Sequence, residues 1–160
     1  MSDQEMIDRL AGYSRSLGVA VEFGAVPEGA SSLAGIMVRD GTLVIDREGL
    51  PWPGDILHEA AHIATAPPSR RGALNGTLSV TPAEEMAALA WSYAAAVAAE
   101  IDPHVVFHEG GYRNGGAYLV AQYASGLPPG GPGVPMLQWW GMTSAFPHMT
   151  HWIRQTEDPP

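Results

Sequence analysis

LPWPGDILHEAAHIATAPP, residues 50–68, decides how this chain is read. Pro51 and Pro53 interrupt regular structure before it, and Pro67-Pro68 terminates it. Between them Asp55 is placed to cap a helix over Ile56 to Ala66, about three turns long. On such a helix His58 and His62 share one face, offset by about 40° and about 6 Å along the axis. Two imidazoles in that relation can converge on one ion at about 2.0–2.1 Å. Glu59 points about 100° round from His58, beside the ion, where it can accept a proton from metal-bound water. The bland alternative is a pair of part-buried histidines bonded to backbone, with Glu59 in solvent. The pattern alone is suggestive; its place on a short, apolar, proline-bounded helix strengthens it.

Upstream, Ser2 and Glu5 form a capping box, and Met6, Leu10, Tyr13 and Leu17 recur at helical spacing up to Gly18. VAVEF (19–23) has strand composition. LAGIMVR (33–39) and TLVID (42–46) flank Asp40-Gly41, a strong hairpin signal. About three short strands follow from this, at least partly antiparallel. Downstream, Thr81 as cap, Pro82 as first helical residue and Glu84 three beyond the cap start a helix. It runs through EEMAALAWSYAAAVAAEI toward Asp102-Pro103 and is apolar nearly all round, so it is expected at the centre of the core. VVF (105–107) reads as a short extended piece, GGYRNGG as a loop, and AYLVAQYAS (117–125) as a helix stopped by Gly126. LPPGGPGVP is structureless by composition, MLQWW suits one helical turn, and residues 155–160 read as a frayed tail.

The 160 residues fit a single domain, 1–160, able to bury a real core. A net charge of −9 with eight basic residues argues against nucleic acid and against an anionic membrane surface. No apolar run approaches the roughly 18–20 residues of a membrane span. The acidic start, MSDQEMIDRL, is unlike a signal peptide. With no cysteine there is neither a disulfide framework nor a thiol ligand or nucleophile. A cytoplasmic protein is the expectation.

A catalytic zinc site normally has three protein ligands and an open position. The metzincin continuation needs a glycine at position 65 and a histidine at 68, where the chain has Thr65 and Pro68. Peptide deformylases add a cysteine, which is missing. The gluzincin pattern remains, with a glutamate ligand on a following helix, here opened by Glu84-Glu85. Glu84 already has a reason to be there as the partner of Thr81. Glu85 enters an apolar helix without one, and an acid there is costly unless paired or metal-bound. Glu85 is therefore preferred as third ligand, Glu84 being the alternative, although both also suit the positive end of a helix dipole.

In motif and element order the chain resembles compact gluzincin-type metallopeptidases, especially small ImmA/IrrE-like domains. HEAAH and EEMAALAWSYAAA carry the likeness, which covers roughly residues 1–100. Met86, Ala87 and Leu89-Ala90 match the family's second helix loosely, and Ala61 replaces a usual glycine. The resemblance implies a zincin-like α+β domain, a short and mostly antiparallel sheet packed on the HExxH helix and a central Glu-bearing helix. It also implies one Zn²⁺ per chain and hydrolysis of a peptide or protein substrate, which an exposed hairpin edge could hold by strand addition.

His108 and Tyr112 are expected to approach the site, one of them donating to the oxyanion, as His or Tyr does in related peptidases. His104 and His108 repeat the four-residue spacing, but Pro103 and nearby glycines argue against a helix there. Tyr93 is expected in the core and Trp139-Trp140 to close it, while His148 and His151 either fold over a cleft or hang free. The rival reading is a non-catalytic, zinc-stabilised binding or regulatory module. A fourth side-chain ligand such as His108 or His148 would favour it, whereas an open position beside Glu59 favours the enzyme.

Overall fold

The computed structural model describes every residue except Thr77, Ser79, Arg113, Asn114, Leu127, Pro128, Pro129 and Pro160. Helix α1 (Asp3–Ser16) opens with both halves of the Ser2/Glu5 capping box formed and buries Ile7, Leu10 and Ala11. Strands β1 (Val21–Phe23), β2 (Ile36–Arg39) and β3 (Thr42–Ile45) form one sheet in the order β1-β3-β2. The β2–β3 hairpin turns at Asp40 and Gly41, whose φ values of 49° and 73° are those of the tight turn that Asp-Gly favours. Gly41 has a second duty: a Cβ there would lie 2.4 Å from the Arg71 carbonyl oxygen. β2 and β3 pair antiparallel, but β1 runs parallel to β3 with Val21 opposite Leu43. The sheet is thus mixed and not mostly antiparallel, because the long 24–35 connection carries the chain past β3's place before the hairpin returns to it.

Helix α2 (Asp55–Thr65) is the HEAAH helix. It begins one residue earlier than expected, with Gly54 as cap and Asp55 already inside, so the Asp55 carboxylate is not spent on capping. Gly54 is required by close approach, since a Cβ there would sit 1.8 Å from the Val105 carbonyl oxygen. A short helix α3 (Pro68–Arg71) follows.

Helix α4 (Pro82–Ala98) is the central helix, fully buried from Ala87 to Ala96 apart from a few per cent at Leu89 and Tyr93. Alanines on α2 (Ala60, Ala61, Ala64) and α4 (Ala87, Ala88) are completely buried, and small side chains let the two helices approach closely. The Ser92 hydroxyl donates to Ala88 O on its own helix. The helix ends short of Asp102: Glu100 takes φ 56° and Ile101 N–H returns to Ala96 O at 2.9 Å.

Pro103–Val105 is a 3-10 turn, not an extended piece, because Asp102 caps it by accepting from His104 N–H. Helices α5 (Gly116–Ala124) and α6 (Val134–Trp139) precede a small hairpin, β4 (Thr143–Ala145) with β5 (His148–Met149), which the sequence reading did not anticipate. Its turn contains the cis Phe146–Pro147 bond. Trp140 is buried, but Trp139 is 75% exposed, so only one of the pair closes the core.

The segment read as a frayed tail is held down. Glu157 accepts from Ser69 N–H and Oγ, while Asp158 accepts from Arg70 and Arg154. Arg154 is 2% exposed and covers the Trp140 ring at 4.2 Å. Its Nη1 donates to Thr65 O, and Arg71 donates to Ile63 O and Ala66 O. These are carbonyls left over at the C-terminal end of α2, where cations are favoured. Both ends of the HEAAH helix are therefore anchored by tertiary contacts. No helix among the described residues is long and apolar enough to cross a membrane.

Candidate metal centre

α2 turns His58 and His62 to one side, where their Nε2 atoms lie 3.3 Å apart. The first turn of α4 meets them there. Thr81 Oγ1 accepts from Glu84 N–H, fixing where α4 begins, and Glu85 Oε1 and Oε2 lie 3.1 Å and 3.2 Å from the His58 and His62 Nε2 atoms. Glu84 instead lines a small neighbouring cavity with Arg70 and Arg154, which His62 also borders. Around a tetrahedral zinc with ligands at about 2.0–2.1 Å, donor atoms stand about 3.3–3.4 Å from one another. The two imidazole nitrogens stand at that separation, each imidazole faces its own Glu85 oxygen at a slightly shorter distance, and a two-imidazole, one-carboxylate set suits zinc chemically. The donors of His58, Glu59 and His62 also lie within 4.8 Å of one another. Of the two carboxylates, Glu85 makes direct contact with both imidazoles, while Glu59 completes the His58–Glu59–His62 group that could also hold an ion.

Glu59 is 8% exposed. The solvated Glu59 of the bland alternative is not what the structure shows. Burial pushes its carboxyl pKa up, against the pull of His62 and His58, with Asp55 and Glu85 adding to the rise. Hydrogen bonds from His58 and His62 hold Glu85 well below the usual carboxylate range. Burial works against a charge on His58, but the Glu85 hydrogen bond and the charges of Glu85, Glu59 and Asp55 outweigh it and leave its pKa raised. A cavity of about 240 Å³ opens over this group, with Ser31 to Leu33 on one side and Leu78 and Val80 on the other.

Tyr112 reaches the centre from behind. Its hydroxyl lies 2.7 Å from His58 Nδ1, the nitrogen turned away from Glu85. Burial, with the charges of Glu85 and Asp55, pushes the phenol far above its ordinary pKa, so it stays protonated. His108 does not reach the imidazole–carboxylate group. Its Nε2 lies 2.7 Å from Asp55 Oδ1, and its ring stacks on Trp52 at 4.4 Å and 3°. His108 and Tyr112 line a different, open cleft of about 470 Å³. His104 pairs with Asp102 at the surface, and His148 and His151 are exposed. Tyr93 lies in the core against Tyr123. Asp55 and Trp52 were not recognised as part of this region from sequence, although Asp55 stands three residues before His58, on the same helical face.

Two tests of the centre follow from these contacts. Glu85→Ala is expected to weaken zinc binding by more than the about 10–100-fold typical of losing a supporting residue, and Glu84→Ala by little. Equal zinc affinities in chelator competition would cancel the assignment. The second concerns pH. In the metal-free protein His58 has a raised pKa, so its contribution is complete below its ordinary value of 6.5 and is lost as pH rises through the folded-state value. Glu59, also raised, acts in the same direction, and the contribution of Glu85 is lost only in acid. Zinc needs deprotonated ligands, so its affinity rises with pH. Between about pH 6 and about pH 8 the metal-free Tm should fall while the zinc-induced increase in Tm grows. Thermal melts with chelator and with zinc check both; a metal-free Tm that climbs over this range contradicts the pairing.

No protein family, no curated protein and no solved structure matches the chain.

Proposed function

We propose that this chain is a zinc-dependent peptide hydrolase of the gluzincin type, holding one Zn²⁺ through His58, His62 and Glu85. The observation that carries the reading is the convergence of two imidazole nitrogens and the Glu85 carboxylate within 3.3 Å of one another, beside a buried carboxyl and under an open cavity. Zinc bound there would supply a Lewis acid. Glu59 supplies the proton chemistry: burial raises its pKa above the ordinary carboxylate value, which suits a group that takes a proton from the attacking water and returns it to the leaving amine. The α2–α4 packing holds the donors on two rigid helices, so little reorganisation is needed. A peptide or protein substrate enters the cavity between the 31–33 segment and Leu78. The outer edge of β2 is already engaged, with Val38 O accepting from Gly76 N–H and Ile36 O from Ser31 Oγ, so strand addition there is not part of the reading.

The rival, a zinc-stapled binding module, calls for a fourth protein ligand. His108 is engaged by Asp55 and His148 is exposed on β5, which favours the enzyme. The cysteine-free, acidic composition suits the cytoplasm. A peptide-library screen tests the function: cleavage by zinc-loaded protein, lost on chelation and restored by zinc, is expected. Stoichiometric zinc with no cleavage across the library would favour the module.

A further inference from the structure

The segment between α4 and α5 is latched to the metal helix at two points. Asp55 and His58 stand three apart on α2, and His108 and Tyr112 stand four apart in the segment. Asp55 Oδ1 meets His108 Nε2 and His58 Nδ1 meets the Tyr112 hydroxyl, each at 2.7 Å. The stacking of His108 on Trp52 fills the space between the segment and the start of α2. The backbone is pinned as well, since a Cβ on Gly110 would lie 2.4 Å from the Trp52 indole nitrogen and one on Gly116 2.5 Å from Phe107 O.

An imidazole that gives its Nε2 lone pair to a cation carries its proton on Nδ1, and that N–H needs an acceptor when buried. In most metal sites a carboxylate or backbone carbonyl accepts it. Here the described partner of His58 Nδ1 is the hydroxyl of Tyr112, whose oxygen can accept from Nδ1–H. We propose that Tyr112 is a positioning residue: it fixes the tautomer and ring orientation that turn His58 Nε2 toward His62 and Glu85, and the Asp55–His108 pair holds the segment that carries it. The inference rests on the metal centre of the proposed function. It gives Tyr112 a different role from the oxyanion contact expected from sequence, because its hydroxyl is committed to His58 and it lines another cleft.

Tyr112→Phe isolates the hydroxyl, since the ring remains to pack against Phe107 at 5.4 Å. Zinc affinity by chelator competition should fall by about 10–100-fold, the size of effect seen when a ligand's supporting partner is removed. The metal-free Tm should fall modestly, since one buried hydrogen bond is lost with or without zinc. Zinc-loaded wild type should also show an exchange-protected imidazole Nδ1–H proton resonance that disappears in His58→Ala. Unchanged zinc affinity in Tyr112→Phe overturns the inference alone, and a wild type that binds no zinc overturns it together with the metal centre. If Tyr112→Phe loses zinc affinity but zinc-loaded wild type shows no protected Nδ1–H resonance, the hydroxyl is a structural contact and the positioning role is wrong. Should Tyr112→Phe fail to fold, the wild-type spectrum decides, and absence of the protected Nδ1–H resonance rejects the role.

Discussion

Glu59→Gln is expected to keep zinc and fold while lowering peptide hydrolysis by about 10²–10⁴-fold, the usual size of a general-base contribution. The amide is nearly isosteric with the carboxyl and still donates and accepts hydrogen bonds, but it cannot take a proton at neutral pH. Burial gives the substitution its sharpness. At 8% exposure Glu59 is not readily replaced by a neighbouring base, and His58 and His62 are occupied as ligands in the zinc-loaded state. Structural damage should be small, because the amide has nearly the same shape and hydrogen-bonding capacity as the carboxyl it replaces. Zinc content and Tm measured on the same sample separate lost chemistry from lost structure. Cleavage by Glu59→Gln at the wild-type rate would mean that another group moves the proton, and the proposed role of Glu59 would be wrong.

How much of this was legible in the sequence differs between the two halves of the chain. Local rules placed α1, the Asp40-Gly41 hairpin, α2 and the start of α4, because a cap, a turn dipeptide or a proline determines each of them within a few residues. The sequence assigns Glu84 to a capping box with Thr81, but only its backbone N–H joins the cap; Glu85 is the acid whose oxygens meet both imidazoles. What escaped was decided by tertiary contact. Asp55 carries the signature of an N-cap, and only the approach of His108 shows that its carboxylate is used elsewhere. The parallel β1–β3 pairing depends on where a long loop returns, which periodicity does not encode. Residues 155–159 have a polar, proline-ended composition, yet Ser69 and Arg70 supply partners 88 residues away and Arg154 supplies one 4 residues away. Leu127 to Pro129, read as structureless by composition, lie outside the described residues.

His62→Ala is expected to remove tight zinc binding and every effect that depends on it. Wild type should hold about one zinc per chain, removable by chelator, and the variant essentially none. His58→Ala should behave alike. Zinc binds the folded chain and not the unfolded one, so at free zinc a thousandfold above Kd it stabilises wild type by about 4 kcal/mol, and this increment should vanish in the variants. The metal-free fold should survive, because α2 keeps Ile56, Leu57, Ala60, Ala61, Ile63 and Ala64 in the core and keeps Arg71 and Arg154 on its terminal carbonyls. His62→Ala has a second effect without zinc, since it leaves Glu85 with a single imidazole partner and lets its pKa climb back toward the ordinary range. Elemental analysis of zinc-exposed wild type is the deciding measurement. If no transition metal is retained, the two imidazole–carboxylate contacts are ordinary ion pairs joining α2 to α4, and both the hydrolase and the zinc-stapled module fall together.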